Sequence, residues 1–500
     1  MFDLLSLPNE ILYRIIECVD LGDREHFAAS CHLLESLATK ALKEHRARKH
    51  HSYTNPVCSG SHENDGGDDH PLCLLAEICE NRQVAWYPTS LTIKGCGYEE
   101  EEHKDEDFVE DEDWEELLYY GEVYDPWRSD AVYVCRNMER CAEEVQKLVY
   151  GSGYFDEKGN ERWYNHIRRG NRGAALGLLL TLLPNLEILT FHEYTWKARQ
   201  FKKIVQRITE PCDRNSSETR KVGGKVLTKL REVELHGSVP AASDRDEDVF
   251  EDFDLAGHFA KLPSVKRIHA DSANNCSRLS NNPWVQVGPR TSNIDDISTG
   301  YGRMNATYMT ECLGFLKALW KFHYDYSSPY ESDNELNRNG VSLILESLLK
   351  HANISLDTLT LKTNYPSSLQ GSIVILISLH SFEKLKKASL NCHLYAPVFK
   401  ENKEGSLISA PNEIKSLNIA SGSSSFEASK TFEVSKLVDI LPNSIEVIEF
   451  WGQMAMKHVE ALFQGLAEHK ADRLSHLKEI VFYETANMMS VVMKEMSETL

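Results

Sequence analysis

The segment LGLLLTLLPNLEILTF, which runs from Leu176 to Phe191, decides the fold. Its first half is mostly apolar and has the length of a short helix. In its second half, Leu183, Leu186, Leu189 and Phe191 leave two, two and one residues between them, so the last pair brackets a single residue as on one face of a strand. A helical run followed by such alternation predicts one unit of helix, loop and strand.

The same frame of apolar residues recurs along the chain, which is the signature of a repeat protein. Between the last apolar residues of successive frames, the spacings are 44, 35, 54, 37, 29, 29, 31 and 32, and the later ones approach the length of a leucine-rich repeat. The further frames are Leu227, Leu230, Val233, Leu235; Leu262, Val265, Ile268, Ala270; Leu316, Leu319, Phe322, Tyr324; Leu356, Leu359, Leu361; Phe382, Leu385, Ala388, Leu390; Ile414, Leu417, Ile419; Leu441, Ile445, Ile448, Phe450; and Leu474, Leu477, Ile480, Phe482.

These frames predict an α/β protein with an irregular leucine-rich-repeat solenoid over residues 117–484. Parallel strands would form its concave face, and helices its convex face. A first repeat-like unit is predicted over 71–98, where a helix precedes Leu91 and Ile93. The Gly-, Ser- and Asp-rich range 51–70 is interpreted as a linker, the acidic range 99–116 as a disordered insertion, and 485–500 as a C-terminal helix or tail.

The N-terminal segment LPNEILYRIIECVD, Leu7 to Asp20, predicts a helix that begins near Pro8, with Glu10 where the helix dipole favours an anion. Two further amphipathic helices fit within residues 1–50. So small a bundle buries little apolar surface by itself, and it would gain from being covered by a partner. An ordinary helical hairpin packed on the rest of the chain is the alternative.

This N-terminal pattern resembles the F-box, whose opening Leu-Pro-x-Glu-Ile/Leu it matches. Together with the irregular repeats, it is similar in architecture to F-box proteins with leucine-rich repeats in filamentous fungi. The resemblance implies docking on the Skp-type adaptor of a cullin-RING ubiquitin ligase. The adaptor contacts that it implies are Leu7, Pro8, Ile11, Leu12, Ile15, Ile16, Leu33 and Leu34.

Composition narrows the possible partners and compartments. A net charge of -21 disfavours nucleic acids and anionic membranes. The most apolar run, 373–379, is much shorter than the roughly 20 residues that span a bilayer. Twelve scattered cysteines without a secretory leader are typical of reduced thiols, which predicts a cytoplasmic or nuclear protein.

Specificity for a target protein is predicted to depend on side chains that flank the frame residues, because these face away from the core. A one-residue shift of register would instead bury them. Metal binding by the histidines is disfavoured because they lack the local spacing of closed zinc sites. The predicted target contacts are His192, His236, His269, His323, Trp451 and Tyr483.

No phosphate-binding loop, dinucleotide fingerprint, nucleophile elbow or HExxH helix occurs in the sequence, so neither catalysis nor a cofactor is expected. The sequence is best interpreted as a non-catalytic substrate receptor. A scaffold that binds the adaptor without ubiquitin transfer is the second hypothesis. An enzyme within residues 117–230 is the third.

Overall fold

The computed structural model describes residues 4–19, 23–50, 55–59, 71–94, 128–192, 199–210, 226–237, 251–271, 273–274, 283–300, 304, 306–326, 340–363, 378–391, 400–401, 407–408, 436–452, 456–483 and 490–494. The chain divides into two compact units. The first comprises Met1–Val249 with Lys261–Val265, and the second comprises Phe250–Ala260 with Lys266–Leu500.

Three helices occupy the N-terminal part of the first unit: α1 (Asn9–Cys18), α2 (Arg24–Ala29) and α3 (His32–His50). The carbonyl of Pro8 accepts hydrogen bonds from the first turn of α1. Near the end of α3, the Nδ1 atom of buried His45 lies 3.2 Å from the hydroxyl of Tyr87. The three helices enclose a core of Leu12, Ile16, Ala28, Leu34, Ala38 and Leu42.

Among the described residues of the first unit, four parallel strands follow and pair in chain order. Equivalent frame residues are in register, as Ile93 with Phe191 and Phe191 with Leu235. Asn171 caps one of the helices, because its side-chain oxygen accepts a hydrogen bond from the Ala174 amide. The elements are β1 (Val57–Ser59), α4 (Pro71–Glu80), β2 (Ser90–Lys94), α5 (Arg128–Gly151), α6 (Glu157–Arg168), α7 (Arg172–Leu182), β3 (Ile188–His192), α8 (Arg199–Thr209) and β4 (Glu232–His236).

The described residues of the second unit form a sheet of seven parallel strands and one antiparallel strand, which pair in the order β6, β8, β9, β10, β11, β14, β15 and β16. Two short two-stranded pairings, β5 with β7 and β12 with β13, accompany them. The elements are β5 (Glu251–Asp252), α9 (Phe253–Phe259), β6 (Arg267–Asp271), β7 (Ala273–Asn274), β8 (Asp296–Gly300), α10 (Ala306–Gly314), β9 (Lys321–Tyr326), α11 (Gly340–Ala352), β10 (Thr358–Thr363), β11 (Lys387–Asn391), β12 (Lys400–Glu401), β13 (Leu407–Ile408), α12 (Leu437–Ile440), β14 (Val447–Trp451), α13 (Met456–Phe463), α14 (Leu466–Arg473), β15 (Glu479–Tyr483) and β16 (Ser490–Lys494).

The predicted α/β class with parallel strands is confirmed, and the structure corrects three details. Val57–Ser59, within the predicted linker, is a strand, because its residues pair with β2. Asp296–Gly300 is a strand that lacks the leucine frame, and it divides the spacing of 54 residues between Ala270 and Tyr324 into 29 and 25. Ser490–Lys494, predicted as helix or tail, pairs antiparallel with β15.

Three predicted segments lie mainly or wholly in ranges that the structure does not describe. The acidic range 99–116, the frame at 414–419 and most of the predicted linker lie outside the described residues. The strands on either side of the frame at 414–419 are nevertheless described. β11 pairs directly with β14, so adjacent strands of the sheet need not be consecutive in sequence.

Close packing of two helices in the first unit depends on Gly177. A Cβ atom at this position of α7 would lie 2.6 Å from Cγ2 and 3.0 Å from Cβ of Ile204 on α8. Gly177→Ala is therefore expected to lower the free energy of unfolding by about 1–3 kcal/mol, although alanine favours helix. Urea unfolding would measure this. The double variant with Ile204→Ala, which lacks Cγ2 and Cδ1, should be destabilised by less than the sum of the two single variants, and a Gly177→Ala protein as stable as wild type would contradict the packing.

Candidate functional sites

The first candidate site is an apolar face on the N-terminal helices. Its residues remain exposed although they are hydrophobic: Ile11 is 47% exposed, Leu33 40% and Leu7 37%. An open depression on this face is lined by Ile11, Arg14, Ile15, Cys18 and Val19. We define the apolar face as the five residues that line this depression together with Leu4, Leu5, Leu7, Pro8 and Leu33.

Three of the predicted adaptor contacts are not on this face. Leu12, Ile16 and Leu34 are at most 1% exposed and form the core of the three helices. Successive residues of a helix are about 100° apart around its axis, and residues four apart lie on nearly the same side. Ile11 and Ile15 therefore form one line along α1, and Leu12 and Ile16 form a second line on a different side. One line faces outward, and the other faces inward.

The polar first turn of α2 has a structural role. Arg24 is buried, and its Nη2 atom donates a hydrogen bond of 3.5 Å to the carbonyl of Val19, just after the end of α1. A cation at this position is favourable for the helix dipole. Arg46 of α3 pairs with Glu25 of α2 at 3.0 Å. These contacts hold α2 against its neighbours without adding to the apolar face.

The second candidate site lies on the sheet of the second unit, on the side away from its helices. Phe450 and Phe482 stack on the helix side, where Phe482 also meets Phe463 of α13. Because side chains alternate along a strand, Trp451 and Tyr483 lie on the opposite side. They are register partners, and their rings stack with centroids 4.1 Å apart and an angle of 19°. We call this side the open face.

Trp451 is held on the open face by contacts that the sequence did not predict. The Nζ atom of Lys362 lies 3.6 Å from the centroid of its ring, and the indole N–H donates a hydrogen bond of 2.7 Å to Ser389 Oγ. Lys362 and Tyr483 come from strands on opposite sides of β14, so they cover the two faces of the indole. Contacts with Trp451 therefore fix the positions of Tyr483 and Lys362 on the open face.

The sequence could have indicated this arrangement only through strand register. Lys362, Ser389 and Trp451 flank frame residues on three strands, but a lysine or serine at such a position is ordinary on any sheet surface. The register pairs Ser389 with Glu449 and Asn391 with Trp451. Only that alignment places the lysine of β10 above an aromatic ring of β14.

Three of the four predicted histidines contact a neighbouring ring or carboxylate, and the fourth, His323, is half-buried. In the first unit, the rings of His192 and His236 stack at 4.7 Å, and His236 Nε2 lies 3.5 Å from Glu234 Oε2. In the second unit, His269 Nε2 lies 3.0 Å from Asp271 Oδ2, and His323 is half-buried on β9. Their roles in target binding, and the absence of a metal role, stay predictions.

His323 should make the stability of the second unit depend on pH. Burial lowers the pKa of His323, and the nearby Lys362 ammonium lowers it further. The unfolded chain, with a histidine pKa of about 6.5, then binds more protons than the folded chain. The contribution of neutral His323 to the free energy of unfolding is therefore present above about pH 6.5, and it is lost as the pH falls through the folded-state pKa.

His323→Gln should remove this part of the pH dependence. Urea unfolding midpoints measured at about pH 7.5 and about pH 5.5 are expected to differ less for the variant than for wild type, because glutamine binds no proton in this range. Equal differences for the two proteins would contradict the assignment to His323.

No family model matches the chain, and no curated protein matches it. Among the described helices, none combines the length and the apolar composition that crossing a membrane requires. The geometry defines an α/β protein with parallel strands that carries an apolar helical face and an open, polar and aromatic sheet face.

Proposed function

We propose that the chain is the substrate-recognition subunit of an SCF-type (Skp–cullin–F-box) ubiquitin ligase. The apolar face docks on a Skp-type adaptor, which links the chain to a cullin. The repeats form a curved solenoid whose concave open face binds a target protein. The chain itself is not an enzyme, because ubiquitin transfer belongs to its partners, and it acts in the cytoplasm or the nucleus.

The single observation that carries this proposal is the exposure of the apolar face. Ile11 is 47% exposed although Leu12, the next residue, is fully buried. Burying such a side chain fully contributes about 1.5–3 kcal/mol, so covering several of them favours a stable complex. The pattern Leu7-Pro8-x-Glu10-Ile11 at its edge is the one that resembles the F-box.

The open face supports a role in recognising a protein. Tyrosine is enriched among residues that dominate binding energy at interfaces, and Lys362 offers a cation beside Tyr483. Holding a target near a ubiquitin-charged enzyme raises its effective concentration there. The described residues within 117–230 form α5–α8 and β3 and supply a strand of the first unit's sheet, so the proposal assigns this range to the repeats.

Co-purification tests the proposal in two steps. The full chain is expressed with a Skp-type adaptor, and the complex is then mixed with a cullin that carries its RING subunit. The proposal expects both to co-elute with the chain. Failure of the folded chain to bind the adaptor would overturn it. Adaptor binding without cullin would favour the scaffold hypothesis, in which ubiquitin transfer plays no part.

A further inference from the structure

Two helices of the first unit are held in register around a pair of thiols. Glu80, at the end of α4, forms an ion pair with Arg140 of α5. Just beyond α4, Arg82 Nη2 lies 3.1 Å from Glu144 Oε2, one turn further along α5. Cys79 directly precedes Glu80, and Cys141 directly follows Arg140, so the two cysteines lie beside the first ion pair on neighbouring helices.

The two thiols are in contact. Cys79 and Cys141 share a side-chain hydrogen bond across the interface between α4 and α5. Cys79 is half-buried and borders solvent, whereas Cys141 is only 2% exposed. They are 62 positions apart in the sequence (141 minus 79), so tertiary packing alone brings them together.

We propose that Cys79 and Cys141 form a reversible oxidative modification site, at which a peroxide converts the two thiols to a disulfide that links α4 to α5. The inference does not depend on adaptor binding. Peroxide is the oxidant class because it is small, whereas a bulky disulfide reagent would have to reach a residue that is 2% exposed.

The chemistry balances with one peroxide molecule. The Cys141 thiolate attacks one peroxide oxygen, the O–O bond breaks, and hydroxide leaves and takes up the thiol proton to become water. The sulfur is thereby oxidised to a sulfenic acid. The Cys79 sulfur then attacks the Cys141 sulfur, the S–O bond breaks, and the hydroxyl leaves with the Cys79 proton as a second water. A thiol reductant reverses the modification.

Local electrostatics assign the first step to Cys141. The hydrogen bond from Cys79 lowers the pKa of the Cys141 thiol, and the Arg140 guanidinium also lowers it, although burial opposes the shift. The same hydrogen bond, together with burial, raises the pKa of Cys79. Because the thiolate is the nucleophile, Cys141 reacts first and Cys79 resolves the sulfenic acid.

Peptide mapping of the full chain tests the site. After brief exposure to hydrogen peroxide and alkylation of the remaining thiols, the digest should contain a peptide pair joined through Cys79 and Cys141. A thiol reductant should abolish the pair. The linked protein should melt roughly 5 °C above its reduced form, because the link restricts the unfolded chain.

Three variants serve as controls. Cys79→Ser should leave Cys141 as a sulfenic acid, which dimedone labels when the oxidised protein is unfolded in its presence, and Cys141→Ser should show neither the link nor the shift in melting. Cys18→Ser, which removes an exposed cysteine of α1, should form the link at the wild-type rate. Recovery of both Cys79 and Cys141 as unmodified thiols after peroxide, or their linkage to other cysteines in the folded protein, would overturn the proposal.

Discussion

Ile11→Glu is expected to weaken binding of the Skp-type adaptor by roughly 30-fold or more, without unfolding the chain. Ile11 is 47% exposed in the isolated chain, and in the proposed complex it would be buried. A glutamate there would carry its charge into an apolar interface, and loss of a central contact of this kind costs about 2 kcal/mol or more. Calorimetric titration of the purified chain with the adaptor measures the change.

Ile354→Glu is a matched control for this prediction. Ile354 is 56% exposed, and it lies in the second unit between α11 and β10. The substitution adds the same charge at an equally accessible isoleucine, so any general effect on solubility or stability should be shared. The adaptor should bind this variant as it binds wild type. If both variants bind the adaptor equally well, α1 is not the docking surface.

Leu12→Ala should act through stability rather than contact. Leu12 is fully buried among the core residues of the three helices, and truncating a buried leucine costs about 2–5 kcal/mol. Ile11→Ala, one residue earlier, should change stability by no more than about 0.5 kcal/mol, because Ile11 is not part of the core of the three helices. Hydrogen exchange of the backbone amides in α1 and α3 measures both changes in the full chain.

This pair of variants distinguishes contact with the adaptor from packing in the core, two roles that the sequence prediction assigned to the same set of residues. In Leu12→Ala, exchange protection of α1 and α3 should fall by roughly 30-fold or more, and adaptor binding should weaken because the folded module is less populated. In Ile11→Ala, protection should stay and binding alone should weaken. Unchanged protection together with lost binding in Leu12→Ala would place Leu12 at the interface, contrary to the structure.

Much of the fold could be predicted from local pattern. The helix before Leu183 and the alternation up to Phe191 are both visible in the local sequence, and the predicted strand is observed as β3. The strand Asp296–Gly300 could not be found this way, because its only large apolar residue is Ile297. Its other inward residue, Thr299, is only 1% exposed, and its neighbours on both sides rather than its own composition make it a strand.

By itself, the sequence determined the α/β class, the position of most strands and the presence of an amphipathic N-terminal module, because the hydrophobic periods of 2 and 3.6 residues are local properties. Only the tertiary structure decided that Ile11 faces outward and Leu12 inward, that Lys362 lies over Trp451, and that Cys79 meets Cys141. These facts depend on which side of α1 packs against the other helices and on how strands and helices that are distant in the sequence align. Neither is encoded within a short window of residues.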